Sequence, residues 1–532
     1  MTIEYIPEPQ TRGGTEEFGL TWQGITLPRE ILDRHGARIL DPWSGPLDQG
    51  ERRPDSTVYR SNVLLVPGQA LISDESVGWI DGALSELGLR LSPVSVERAR
   101  GRDYGSENVW MPAVLEIDGS RQDVDVDAWR ALRALRRALS REPDDRAGRA
   151  ELAMISLDHL FVGSATSGIG SLDLGGEPAT SGHAMTDQPG TRSRPEYGRM
   201  PVTVVAGPPP RRPLEDLGGP RITVVTLDTG VAKHHPWFRP VTDHDAFLSV
   251  DPDGQRQIED THPAYADRDI ARLVGYEDLG LPANPLLGML NTHAGHGLML
   301  AGLVAQIAPD ARVLMYKVMH SDGIVPGEAL HAALDRLLWR LDHGEPVDVL
   351  CCAFGGFSEA GDAAMQALFD KVNQLRARGV IVVNAAGNYA TTRPFYLAAL
   401  SETAVSGPPL APMIGVAAKN PDGTIAIFSN EHPAVRWRAP GAMVVSTFPP
   451  QFQGAQNAAL TTGERASLDV DAVGPFCAWS GTSFAAPIVA GCIAAELTRT
   501  IGQVGVDPVE RARSVVDMMI NDKLVRPEVV PI

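Results

Sequence analysis

From Arg221 onward the apolar residues gather into short continuous runs, and between the runs they recur at helical spacing. The runs fall at 221–228, 311–319, 347–354, 380–386 and 413–418, and helical patterns cover 296–306, 327–341 and 360–378. Near-continuous apolar strands alternating with helices predict a mostly parallel sheet covered on both faces. In such sheets functional groups collect at the carboxyl ends of strands and at helix N-termini.

The chain before residue 164 is patterned differently. Strand candidates lie at 62–67, 90–94, 112–117 and 152–162, with helices at 75–87 and 126–139. Trp129, Leu132, Leu135 and Leu139 form one apolar stripe of the second helix. The order β-α-β-β-α-β predicts a small α+β domain. Residues 164–218 are rich in Gly, Ser, Pro and Thr and carry little periodicity. Such a composition buries too little surface to offset chain ordering, so it reads as a flexible linker. The predicted division is 1–163, linker 164–218, an α/β domain over 219–520 and a tail at 521–532.

Composition narrows the function. Hydrophobic residues make up 43% and charged residues 21%, as in a soluble globular protein. The formal net charge of -19, with 66 acids against 47 bases, argues against nucleic acid as the main partner. The first residues carry acids and prolines without the apolar stretch of a secretory signal. No run approaches the roughly 18 apolar residues of a membrane span. A cytoplasmic location is the expectation. The four cysteines, Cys351, Cys352, Cys477 and Cys492, then read as buried reduced thiols.

Four residues stand where chemistry is carried. Ser483, in Trp479-Ser-Gly-Thr-Ser-Phe-Ala-Ala-Pro487, opens a small-residue helix whose N-terminus favours developing negative charge. A serine there is also an ordinary N-cap. His296 lies between Gly295 and Gly297 at the mouth of an apolar helix, with His293 three residues earlier. The two histidines lack a third ligand at metal-binding spacing. Asp228 ends a buried strand in Leu227-Asp228-Thr-Gly230. A carboxylate there needs a partner. An aspartic protease would need a second such motif, and the chain has none. Asn388 ends the run Val380–Asn388 in Gly-Asn, a common turn pair that can also present an amide donor.

Taken together, these motifs resemble the subtilisin-like (subtilase) family. Asp228-Thr-Gly-Val with His235-Pro, His296-Gly-Leu-Met-Leu-Ala-Gly302, Ala385-Ala-Gly-Asn388 and Gly481-Thr-Ser483-Phe-Ala-Ala-Pro487 carry the resemblance, which spans about 216–500. The order Asp…His…Ser is that of subtilisin. Leu298 and Met299 depart from the polar pair that usually follows His-Gly, and Ala353 replaces a small polar residue on the substrate strand.

The resemblance implies a subtilisin-like three-layer α/β domain preceded by a propeptide-like domain, and a serine endopeptidase. In that reading Ser483 is the nucleophile, His296 the base and Asp228 its orienter, with Asn388 in the oxyanion hole. Ala353, Phe354 and Gly355, with Ala385, Ala386 and Gly387, would line the substrate cleft. The first domain would act as intramolecular inhibitor, with a linker cut near Arg192, Arg194, Arg211 or Arg212. The partners implied are a protein or peptide substrate and that domain, without nucleic acid or membrane. No organic cofactor is needed. Calcium is a possible ligand of the acidic insertion holding Asp243, Asp245, Asp251, Asp253, Glu259 and Asp260. The rival reading is a catalytically silent binding protein on the same scaffold.

Overall fold

The computed structural model describes residues 3–6, 27, 29–43, 52–101, 110–119, 124–141, 150–164, 200–232, 234–238, 245–260, 273, 277, 282–284, 289–359, 365–452, 474–501 and 506–521. A central sheet of eight strands runs in the order Glu4–Tyr5, Trp437–Pro440, Met413–Lys419, Ile381–Ala385, Val349–Cys352, Thr223–Asp228, Arg312–Lys317, Leu248–Val250. Every neighbouring pair is parallel except the first. The five predicted apolar runs are all strands of this sheet, trimmed by a few residues.

Alternation along the strands divides the core into two layers. Val224, Cys351 and Val383 face helices His296–Ile307 and Thr482–Arg499. Val225, Cys352 and Val382 face helices Gly327–Asp342 and Gln366–Ala377. The two adjacent cysteines therefore point into opposite layers, and all four cysteines are buried free thiols. Small residues let the first two helices approach closely: a Cβ on Gly491 would lie 3.1 Å from the Ile307 side chain.

The first domain is an antiparallel sheet of Val58–Pro67, Leu89–Leu91, Trp110–Ile117 and Ser156–Gly163. Helices Asp74–Ser85 and Ala128–Arg141 cover it, burying Ile80, Leu84, Leu132 and Leu135. The predicted elements occur in order, with others among them: Arg29–His35, Ala37–Ile39 and Gly68–Ile72 are not expected from the pattern, and Leu152–Met154 is a 3-10 turn before the last strand. Pro93–Arg100 is a helix, although the sequence pattern carries a strand through Val94. Pro93 sits in its first turn, where the fixed φ and missing N–H suit a helix start.

Strand pairing ties this domain to the larger one at two places. The strand Ser156–Gly163 continues past its own sheet and pairs antiparallel with Ile324–Pro326 on one side and Phe354–Gly355 on the other. At the far end of the chain, Glu4–Tyr5 pair with Arg438 and Trp437 at the edge of the central sheet, with Ile3 buried beneath.

Of the stretch read as linker, residues 200–218 are placed against the larger domain, and 165–199 lie outside the described residues. Met200–Pro201 pair with the strand Phe476–Trp479. Arg211 donates to the carbonyl of Ala311 at 3.0 Å, and Arg212 pairs with Asp310 at 2.7 Å. Both are thus fastened to the larger domain: Arg211 is half-buried, whereas Arg212 remains exposed. Arg192 and Arg194 lie outside the described residues. Among the described residues, no helix is long and apolar enough to cross a membrane.

Candidate active site

Asp228 ends its strand and His296 opens its helix, and the topology brings them together. His296 Nδ1 donates to Asp228 Oδ1 at 2.7 Å, and both residues are fully buried. The same oxygen accepts the backbone N–H of Thr229 at 2.7 Å. Gly295 precedes the helix at φ +82°, a left-handed conformation that glycine adopts without strain. Any side chain on Gly297 would overlap the carbonyl of Gly230, so the close approach of helix to strand requires glycine there.

Ser483 lies in the first turn of Thr482–Arg499. Its hydroxyl donates to the carbonyl of Ala353 at 2.8 Å. His296 Nε2 is buried without a hydrogen-bond partner. The Ser483 hydroxyl and His296 Nε2 are thus not hydrogen-bonded to each other in this arrangement. His293, the other candidate base, contacts the His296 ring edge-on at 5.4 Å between centroids and does not pair with Asp228.

Asn388 follows the strand Ile381–Ala385, and its amide is oriented by Thr482. The Asn388 side-chain oxygen accepts from Thr482 N at 3.0 Å and from Thr482 Oγ1 at 2.9 Å, so its Nδ2 is left as the outward donor. That Nδ2 donates to the carbonyl of Ser164 at 2.5 Å, and the backbone N–H of Ser483 donates to the same oxygen at 3.0 Å. Two donors, one of them at a helix N-terminus, thus converge on one carbonyl, the arrangement that stabilises a developing oxyanion.

The occupant of this site is the chain itself. Beyond Gly163 the Ser156–Gly163 strand delivers Ser164, whose N–H donates to Ala353 O at 3.0 Å. Phe354 stands opposite Gly163 and Gly355 opposite Val162, and Gly163 N–H donates to Gly323 O at 2.8 Å. Of the residues expected to line the cleft, Ala353, Phe354 and Gly355 form its backbone ladder. Ala385 and Ala386 are buried at the end of their strand, and Gly387 donates its N–H to Thr482 Oγ1 at 3.0 Å.

One buried acid went unnoticed in the sequence because it stands apart from any motif. Glu277 accepts from Thr229 Oγ1 at 2.7 Å and from Gly295 N at 3.1 Å, the residues flanking Asp228 and His296. Complete burial pushes its pKa up to about 7, although Lys317 and these hydrogen bonds oppose the rise. Two acids of the insertion, by contrast, face arginines. Asp251 pairs with Arg336 at 2.7 Å and with Arg340 at 3.1 Å, and Asp245 with Arg221 at 2.5 Å. Burial raises the Asp251 pKa, but hydrogen bonds from Arg336, Gly254 and Tyr316 outweigh it and hold the carboxyl well below its usual range. Asp251 and Asp245 are thus engaged by arginines, and Asp243 lies outside the described residues. Among the described residues, no group of three or more His, Cys, Asp or Glu is placed to hold a metal.

Known proteins place the chain in a family. The model of the subtilase family (Peptidase_S8) matches residues 219–500. The minor extracellular protease Epr of Bacillus subtilis is 27% identical over 168 residues, which are 30% of this chain and 23% of that protein. Thermitase of Thermoactinomyces vulgaris is 27% identical over 244 residues, 44% of this chain and 69% of that protein. The chain thus spans under a quarter of Epr but about two thirds of thermitase. Among solved structures, that of a lanthipeptide protease is 19% identical with a TM-score of 0.38, covering 56% of this chain and 78% of that one. The family match covers more than half of the sequence and contains all four motifs: this chain belongs to the subtilase family.

Proposed function

We propose that this protein is a serine endopeptidase made as a precursor that binds its own first domain as a substrate. The observation that carries the reading is the Ser164 carbonyl, held at once by Ser483 N–H and Asn388 Nδ2. The bond that follows this carbonyl, Ser164–Ala165, is the one to be cut. His296 takes the proton of Ser483 as Oγ attacks the Ser164 carbonyl carbon, and a C–O bond forms. Asp228 keeps the imidazole in the required tautomer and stabilises its charged form. Collapse of the tetrahedral intermediate breaks the C–N bond, and the imidazolium gives its proton to the Ala165 amine. Water then releases the acyl group by the same path in reverse. No organic cofactor enters the reaction. Peptide or protein substrates acting in trans would occupy the same cleft once the first domain leaves it.

Inhibition follows from burial. Asp228, His296 and Ser483 are fully covered while the strand is docked. Glu4–Tyr5 anchor the same segment at a second place, so the cut fragment is retained after the bond is broken. A fluorophosphonate probe tests the chemistry apart from substrate choice. The cleaved protein, once its first domain is displaced, is expected to label at Ser483, with the Ser483→Ala chain unlabelled. Equal labelling of the two proteins contradicts the reading and favours a silent binding scaffold.

A further inference from the structure

We infer that the cleft is selective for glycine followed by a small residue, and cuts after the small one. This rests on the endopeptidase reading above and specifies its substrate class. The ladder register sets which side of the cleft each residue meets. Gly163 faces one side together with Phe354, whereas Ser164 and Val162 face the other together with Ala353 and Gly355.

On the first side the wall is His293. A Cβ built on Gly163 would lie 2.6 Å from His293 Cδ2, 2.7 Å from Nε2 and 3.0 Å from Met319 Sδ. The imidazole has no room to retreat. Its far side rests on Gly323, where a Cβ would overlap the ring, and its Nδ1 is 3.0 Å from Thr292 Oγ1. Only glycine fits beside it without displacing a buried ring.

On the second side the wall is Phe395. Its ring fills the space that a side chain on Gly355 would take, on the face to which Ser164 points. It also reaches Gly387, next to Asn388, where a Cβ would lie 2.7 Å from Cδ1. The ring is 1% exposed and packed edge-on against Phe357 at 5.2 Å. The space between the two cleft glycines is thereby closed to a large side chain. Ser164 itself is 1% exposed, and its Oγ is buried without a hydrogen-bond partner. The pocket therefore recognises size and not the hydroxyl, so alanine and glycine suit it as well as serine. Both walls belong to the peptidase domain and act on any peptide that replaces the first domain.

The full-length chain supplies its own assay, the rate at which a new N-terminus appears at Ala165. Ser164→Ala is expected to be cut at about the wild-type rate. Gly163→Ala and Ser164→Phe are expected to slow the cut about tenfold or more, the scale on which a closed pocket rejects extra carbon. Compensating changes keep the inference testable even where a single variant docks badly. His293→Gly should restore cutting of Gly163→Ala, and Phe395→Ala that of Ser164→Phe. Equal rates for all residues at 163 and 164, or compensating changes without effect, overturn the selectivity while leaving the peptidase intact. A wild-type chain that is never cut overturns the reading of the first domain as a substrate, and the selectivity with it.

Discussion

Asp228→Asn is expected to lower kcat about 10,000-fold while leaving the fold intact. Asp228 Oδ1 accepts the proton on His296 Nδ1, which leaves Nε2 free to accept from Ser483. An amide in its place can turn its own N–H toward Nδ1, and the imidazole then carries its proton on Nε2. In that tautomer it cannot act as a base toward the serine. The carboxylate also balances the imidazolium formed in the transition state, in a site closed to water. The rate of cutting after Ser164 reads the effect in the intact chain, and kcat on a peptide reads it after the first domain is displaced. Ser483, Asn388 and the docked strand are untouched by the change, so the loss should fall in kcat with little change in KM. A loss under tenfold would remove Asp228 from the proposed role.

Arg60→Ala is expected to free the cleft from the first domain. Arg60 is 2% exposed in the strand Val58–Pro67. Its Nε donates to Asp158 of the docked strand, and its NH2 group to Glu328, in the first turn of the peptidase helix Gly327–Asp342. The guanidinium is thus buried between two carboxylates from the two domains. Removing one partner of such a group strands buried charge and costs about 3–5 kcal/mol, roughly 10²- to 10⁴-fold in docking. The cut but unseparated protein should then react with a fluorophosphonate faster than wild type by a similar factor. Adding Glu328→Gln to Arg60→Ala removes one stranded charge and should return part of the inhibition. Labelling at the wild-type rate in Arg60→Ala would show that docking does not depend on this cluster.

The alternation of apolar runs and helices made the α/β domain readable, because each strand of a sheet buried on both faces is apolar by itself. Asp228, His296, Asn388 and Ser483 could be picked out because each sits in a short motif with glycine or small residues beside it. What occupies the cleft was hidden for a physical reason. Gly163 and Ser164 begin a stretch whose small polar composition reads as linker, and that same smallness is what lets them pass between His293 and Phe395. Fit between segments 130 or more residues apart leaves no local pattern. His293 was set aside as a base, and its other use as a wall depends on Gly163 and Gly323 meeting it in three dimensions. The anchoring of Arg211 and Arg212 was equally invisible, since Asp245 and Asp310 are brought near only by the fold.

The central claim, that the protein holds its own Ser164 as the residue to be cut, is tested most directly by the intact masses and new N-terminus of freshly purified wild-type and Ser483→Ala chains. The account predicts a wild-type chain broken once, between Ser164 and Ala165, with both pieces eluting together, and a Ser483→Ala chain that stays whole. A new N-terminus after Arg192 or Arg194 in place of Ala165, or the same break in both proteins, would contradict it.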